Sequence, residues 1–196
     1  MRDQILASTP KEERRKKILT TARKIISEQG AAGLNMKELA LLADVPRASL
    51  YRTYAGKEHI ISEITLEWGL SLVGRLQAET PKGRTNGTRV RSVFKSILQE
   101  ADNNPLLTSA VLENLLSPDD STRNMQIKFE ALLPALLVSA IDYESIPQSK
   151  KVTDVLLRLL LANLQMQSSG RSSMKESLTN MVFAAEKLMG QEFWNG

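Results

Sequence analysis

Along most of the chain apolar residues return every three to four positions, which is the helical period, and alternating strand-like runs are almost absent. Ile18, Ala22, Ile25 and Ile26 form one stripe and predict a first helix over residues 11–29, closed by Gly30 and Gly33. Asn35 opens a second helix, with Glu38 three positions later in a capping-box pattern. Its apolar set is Met36, Leu39, Ala40, Leu42 and Ala43, and Asp44-Val45-Pro46 breaks it. A third, short helix spans about Arg47 to Tyr54, and Ala55-Gly56 ends it. A long fourth helix over 57–79 turns Ile60, Ile61, Ile64, Trp68, Leu72 and Leu76 inward.

Beyond the break at 80–87, helices fit residues 88–102, 105–116, 119–141, 148–169 and 172–190. Pro134 is expected to kink or divide the third of these. In "TDVLLRLLLANLQMQ" (153–167) apolar residues cover most of the circumference, so that helix needs neighbours on both sides. Leu178, Met181, Val182, Ala185, Leu188 and Met189 recur at similar spacing in the last helix. The expected fold class is therefore all-α.

Composition narrows the chemistry. Cysteine is absent and His59 is the single histidine, which removes disulfides, thiolate metal sites and His-rich zinc sites. No P-loop, dinucleotide-binding glycine pattern, nucleophile elbow or His-Glu metal motif occurs, so the chain reads as a non-enzyme with no implied cofactor. "MRDQILASTP" lacks the apolar stretch of a signal peptide, and no run reaches the roughly 18–20 residues of a membrane helix. A cytoplasmic location without membrane contact is expected.

The net charge of +4 is unevenly spread. Residues 1–64 hold 12 Lys and Arg against 8 Asp and Glu, whereas 65–196 hold 14 of each. A basic head on a neutral body suggests a polyanion for the head and another kind of partner for the body. Lys11, Arg14, Arg15, Lys16 and Lys17 crowd the first turns of the first helix, where they oppose the helix dipole and would be relieved by an external anion.

The short third helix sharpens this picture. At about 100° per residue, Leu50 and Tyr54 fall together toward the core. Ala48, Ser49 and Arg52 fall on the opposite side, flanked by Arg47 and Tyr51. A slim cationic face admits close approach to an anionic surface, and the DNA major groove is wide enough to take such a helix. The second and third helices then form a helix-turn-helix. Without DNA the same geometry would be a plain helical hairpin.

"GAAGLNMKELALLADVPRASLYRTYAGKEHI" resembles the DNA-binding signature of the TetR family of bacterial transcriptional regulators, over about residues 12–64. The resemblance rests on the alanine-rich second helix, the Asp-Val turn, Ser49-Leu50-Tyr51, the aromatic Tyr54 and Gly56-Lys57-Glu58. It implies three DNA-binding helices (residues 10–56) joined by a long helix to a helical effector-binding and dimerising domain (57–196). By position it implies that Asn35, Lys37, Tyr51, Thr53 and Lys57 meet the phosphate backbone, and that Arg47, Ala48 and Ser49 meet base edges and nearby phosphates. Arg52, on the same outward face, joins the set. Pro46 departs from the usual small hydroxyl residue, and Ala48 replaces a frequent glycine, so no operator sequence carries over.

For the body the resemblance implies an unidentified small-molecule effector and a homodimer, with repression of a double-stranded operator as the usual outcome. Candidate effector contacts are Trp68, Leu72, Phe94, Leu98, Met125, Phe129, Leu132 and Met166. Candidate dimer contacts are Leu156, Leu159, Leu160, Asn163, Leu178, Met181, Val182 and Ala185. A helical carrier of small molecules or lipids and a protein–protein adaptor are the competing readings.

Overall fold

The computed structural model describes residues 9–78, 83–142 and 145–196. Eleven α-helices and one 3-10 turn (Ala31–Gly33) occur among them, with no strand. The helices are α1 Pro10–Gln29, α2 Met36–Leu42, α3 Arg47–Thr53, α4 Lys57–Ala78, α5 Asn86–Asn103 and α6 Pro105–Leu115. They continue as α7 Asp120–Glu130, α8 Leu132–Ala140, α9 Ser149–Ser168, α10 Met174–Met189 and α11 Gln191–Asn195. Part of the expected break at 80–87 lies outside the described residues.

Local chemistry accounts for the boundaries. Thr9 and Glu12 form a reciprocal capping box that starts α1, and Pro10 occupies its first turn, where a missing N–H costs nothing. Ser173 and Glu176 do the same for α10. Asn35 Oδ1 accepts from the Lys37 and Glu38 amides at 2.8 and 3.4 Å and so opens α2. Asp44 takes a left-handed conformation, φ 53°, a turn that aspartate tolerates better than most residues, and this separates α2 from α3. Pro134 divides the expected 119–141 helix. A proline ring collides with the carbonyl four residues back, here that of Glu130, and α7 ends at that residue. α11 lies beyond any helix expected from periodicity.

One apolar core runs from head to body. α1 packs on α2, α4 and α6, and α6 also meets α7 and α9. α4 meets α6, α7 and α8, while α5 lies against α8, α9 and α10. The expected inward residues of α1 and α4 are all buried. Leu42, expected inward on α2, is exposed, as is its neighbour Leu41. At about 100° per residue, Leu41 and Leu42 wind roughly 110–150° away from the face that Leu39 and Ala40 occupy. Phe193 and Trp194 pack on the core, with Trp194 against Gly87 at the start of α5. The Phe193 carbonyl accepts from the Asn86 side chain at 2.9 Å.

Candidate nucleic-acid interface

Helix α3 divides by exposure from one residue to the next. Leu50 is 0% exposed and Tyr54, which ends the helix, is 1%, whereas Tyr51 between them is 49% exposed. Arg47, Ala48, Arg52 and Thr53 are exposed and Ser49 is half-buried. Asn35 and Lys37 at the start of α2 are exposed, and Lys57 at the start of α4 is half-buried. All the residues expected to touch DNA are therefore open to solvent in whole or part, and the two assigned to packing are closed.

Hydrogen bonds within α3 prepare this surface. The Arg52 guanidinium donates to Ser49 Oγ at 3.4 Å, which draws the cation over the small residues. The Thr53 hydroxyl donates to the Ser49 carbonyl at 3.0 Å. Asn35 uses its oxygen to cap α2, and its amide N–H groups suit a phosphate oxygen.

A second polar group fixes the angle between α3 and α4, and sequence reasoning missed it. The Tyr54 hydroxyl donates to Glu63 Oε2 at 2.7 Å, and Arg15 Nε donates to the same oxygen at 3.0 Å. Glu67 adds ion pairs to Arg15 and Arg23, each at 3.5 Å. Residues from α1, the end of α3 and α4 thus meet at one carboxylate. Burial, then the bond to Glu63 and its charge, push the Tyr54 phenol pKa well above its usual value. Burial works against the Arg15 charge, but the bond to Glu63 and the Glu63 and Glu67 carboxylates outweigh it, so its pKa is raised. The His59 ring meets Tyr54 edge-on at 5.3 Å. A separation of 48 residues between Arg15 and Glu63 leaves no periodic signal to read.

In the body, Trp68, Leu72, Phe129 and Leu132 line an apolar cavity of about 40 Å³ between α4, α5, α7, α8 and α9. Gly69, Ile97, Leu136 and four leucines of α9 complete it. Trp68 and Phe129 stack at 6.3 Å, nearly parallel. The other four expected cavity residues lie elsewhere. Phe94 and Leu98 are fully buried in the core, Met125 is half-buried on α7, and Met166 is 42% exposed. Six of the eight expected dimer contacts are enclosed within the protomer: Leu156, Leu160, Asn163, Leu178, Met181 and Ala185. Asn163 is already satisfied by the Leu159 carbonyl and by Asn180. Leu159 and Val182 are half-buried. The large apolar residues that α9 and α10 turn outward are Val155, Met166, Phe183 and Leu188.

Comparison with known proteins bears on the head and on the whole chain. Residues 18–64 match the model of bacterial regulatory proteins, tetR family. The chain is 26% identical over 186 residues to the HTH-type transcriptional repressor KstR of Rhodococcus jostii, covering 94% of this chain and 87% of that protein. It is also 26% identical to KstR of Mycobacterium tuberculosis over 193 residues, covering 95% and 86%. In its head, over residues 18–64, the chain is similar to the TetR family of bacterial regulators. A TetR transcriptional regulator from Rhodococcus sp. RHA1 has the same fold, with a TM-score of 0.71 at 19% identity over 89% of this chain and 96% of that one. FadR of Bacillus subtilis, solved in complex with stearoyl-CoA, gives 0.66 at 13% identity over 89% and 97%. The chain is a DNA-binding transcriptional regulator, and among its described residues no helix is long and apolar enough to cross a membrane.

Proposed function

We propose that the protein is a homodimeric repressor whose α3 helices enter successive major grooves of a near-palindromic operator. The observation that supports this best is the division of α3, where Leu50 and Tyr54 are buried while Arg47, Ala48 and Arg52 stand outward around a half-buried Ser49. Ala48 and Ser49 let the helix backbone approach base edges, and Arg47 and Arg52 supply cations. Asn35, Lys37, Tyr51, Thr53 and Lys57 hold the phosphates on either side. Two-fold symmetry places the half-sites about 34–36 Å apart.

The partner surface lies on the outward faces of α9 and α10. Val155, Leu159, Ala162 and Met166 follow one another at helical spacing, and α10 adds Val182 and Phe183. The effector enters the cavity lined by Trp68, Leu72, Phe129 and Leu132. That lining carries no titratable side chain, and a buried polar group without a partner costs about 2–7 kcal/mol, so the part of the effector it takes is hydrocarbon. FadR of Bacillus subtilis, of the same fold, holds an acyl-CoA. Pockets for small organic ligands run to roughly 300–1,000 Å³, far above 40 Å³, so the effector favours a shape in which the helices have parted and α4 has moved.

Selection of bound duplexes from a random-sequence library, followed by titration at several salt concentrations, tests the reading. A palindromic site, with log affinity falling against log salt by about 0.9 per phosphate contact, is expected. Failure to enrich any sequence would refute it.

A further inference from the structure

α7 grips α4 at two places, and the two grips bear on different ends of the molecule. The first is direct. Phe129 stacks on Trp68, and the absent Cβ of Gly69 is what lets α7 and α8 come so close. A Cβ on Gly69 would stand 2.5 Å from Leu132 Cδ1 and 2.9 Å from Phe129 Cε2, so even one methyl group must move its neighbours. This seam is a wall of the apolar cavity.

The second grip runs through α6. The Gln126 side-chain amide donates to the Ser117 carbonyl at 2.8 Å and to the Asn114 carbonyl at 3.2 Å, closing the C-terminal end of α6. The buried Asn114 side chain in turn donates to the Glu58 carbonyl at 3.3 Å and accepts from Ser62 Oγ at 3.1 Å. Glu58 follows Lys57, the first residue of α4. Gln126 and Phe129 are three residues apart on one face of α7, so a rigid helix cannot tilt at one without carrying the other. Along α4 the grips are about 15 Å apart, at 1.5 Å per residue.

We propose that Gln126 and Asn114 are positioning residues which couple the Gly69 seam to the DNA-contacting end of α4. The proposal rests on the repressor reading and adds the route by which the cavity acts on DNA. Parting α7 and α8 from α4 pulls on the C-terminal end of α6, and Asn114 passes the displacement to the turn that carries Lys57. The buried polar bridge gives the coupling its direction, because Asn114 cannot leave Ser62 without stranding a polar group.

The coupling can be tested without knowing the effector, since added bulk at the seam substitutes for it. Gly69→Ala and Leu132→Phe wedge the seam from opposite sides. Each is made in the wild type and in an S62A/N114L background, where both bridge partners become apolar and neither is left unsatisfied. The probe is the duplex enriched by the wild-type protein. In the wild-type background each wedge should weaken its binding by about fivefold or more, the lower range of allosteric coupling. In the S62A/N114L background the same wedges should change it by less than about twofold. Folded wedge variants that bind like the wild type, or that lose affinity equally in both backgrounds, overturn the proposal. Unfolding of both wedge variants overturns it as well, because a seam that cannot admit this bulk cannot open as a switch. A wild-type protein that enriches no duplex refutes the repressor reading itself, whereas normal enrichment with insensitive wedges sinks only the coupling.

Discussion

The head and the body of this chain use the same material in opposite ways. In α3 the outward positions hold Ala48, Ser49 and two arginines, a choice that core packing does not require. In α9 leucines face the cavity and the core while Val155 and Met166 face outward, so apolar residues stand on both sides of the helix. A segment that must fit a fixed external object, such as a groove of set width and charge, carries that object's outline in its residue order. A segment that must only fill space has many equivalent solutions, and its residue order says little about which side does what.

Substitutions can break or sharpen this contrast. The largest effect should come from Leu50→Ala, which removes a fully buried side chain and should cost about 2–5 kcal/mol in denaturant unfolding. Arg47→Ala, three residues away and exposed, should leave stability within about 0.5 kcal/mol while weakening operator binding by about 1–3 kcal/mol. Similar stability losses from the two would erase the distinction between an inner and an outer face.

Next in size, Asn35→Ala removes the α2 cap and should lower stability by about 1 kcal/mol. Operator affinity should fall with it if the same amide also meets a phosphate. An unchanged affinity would confine Asn35 to the fold. Tyr54→Phe loses one partly screened hydrogen bond to Glu63 and should cost about 1 kcal/mol at neutral pH.

Tyr54 also imposes a pH dependence. Its raised phenol pKa means that the folded protein keeps a proton which the unfolded chain releases near pH 10. Its contribution is complete below about pH 10 and fades as the pH climbs toward the raised value. Chemical denaturation between pH 9 and 11 should therefore show a steeper decline for the wild type than for Tyr54→Phe. The smallest effect belongs to Glu176, whose pKa is lowered by the Ser173 backbone amide and hydroxyl at the α10 cap. Its contribution is present above the ordinary carboxylate range and is lost as the pH falls through the lowered value. Glu176→Gln should flatten that acid limb slightly.

The head was legible because its signals are local. Caps, turn breakers and the 100° winding of α3 all act within a few residues, and the burial of Leu50 and Tyr54 follows from them. The Thr9–Glu12 capping box was open to the same rule that identified Asn35 and was overlooked. The meeting of Arg15, Tyr54 and Glu63 was not legible, since it joins three helices by side chains with no repeat between them. In the body, periodicity marks apolar positions but cannot rank them. Trp68 and Phe94 look alike as inward aromatics, yet one lines the cavity and the other is sealed in the core. On α10, Met181 and Phe183 are both apolar, and only the packed neighbours decide that Met181 closes inward and Phe183 is left outside.

The brevity of α3 limits what one copy can say about a genome. Seven residues extend about 10 Å, which at 3.4 Å per step spans roughly three base pairs. A three-letter word recurs every few dozen nucleotides, against the 10⁶–10⁹ competing sites of a chromosome. Two such words at a fixed interval, as the proposed dimer would present them, recur only about once in several thousand nucleotides, and the bonds that join α3 to α4 through Glu63 would hold each word at its place in that interval.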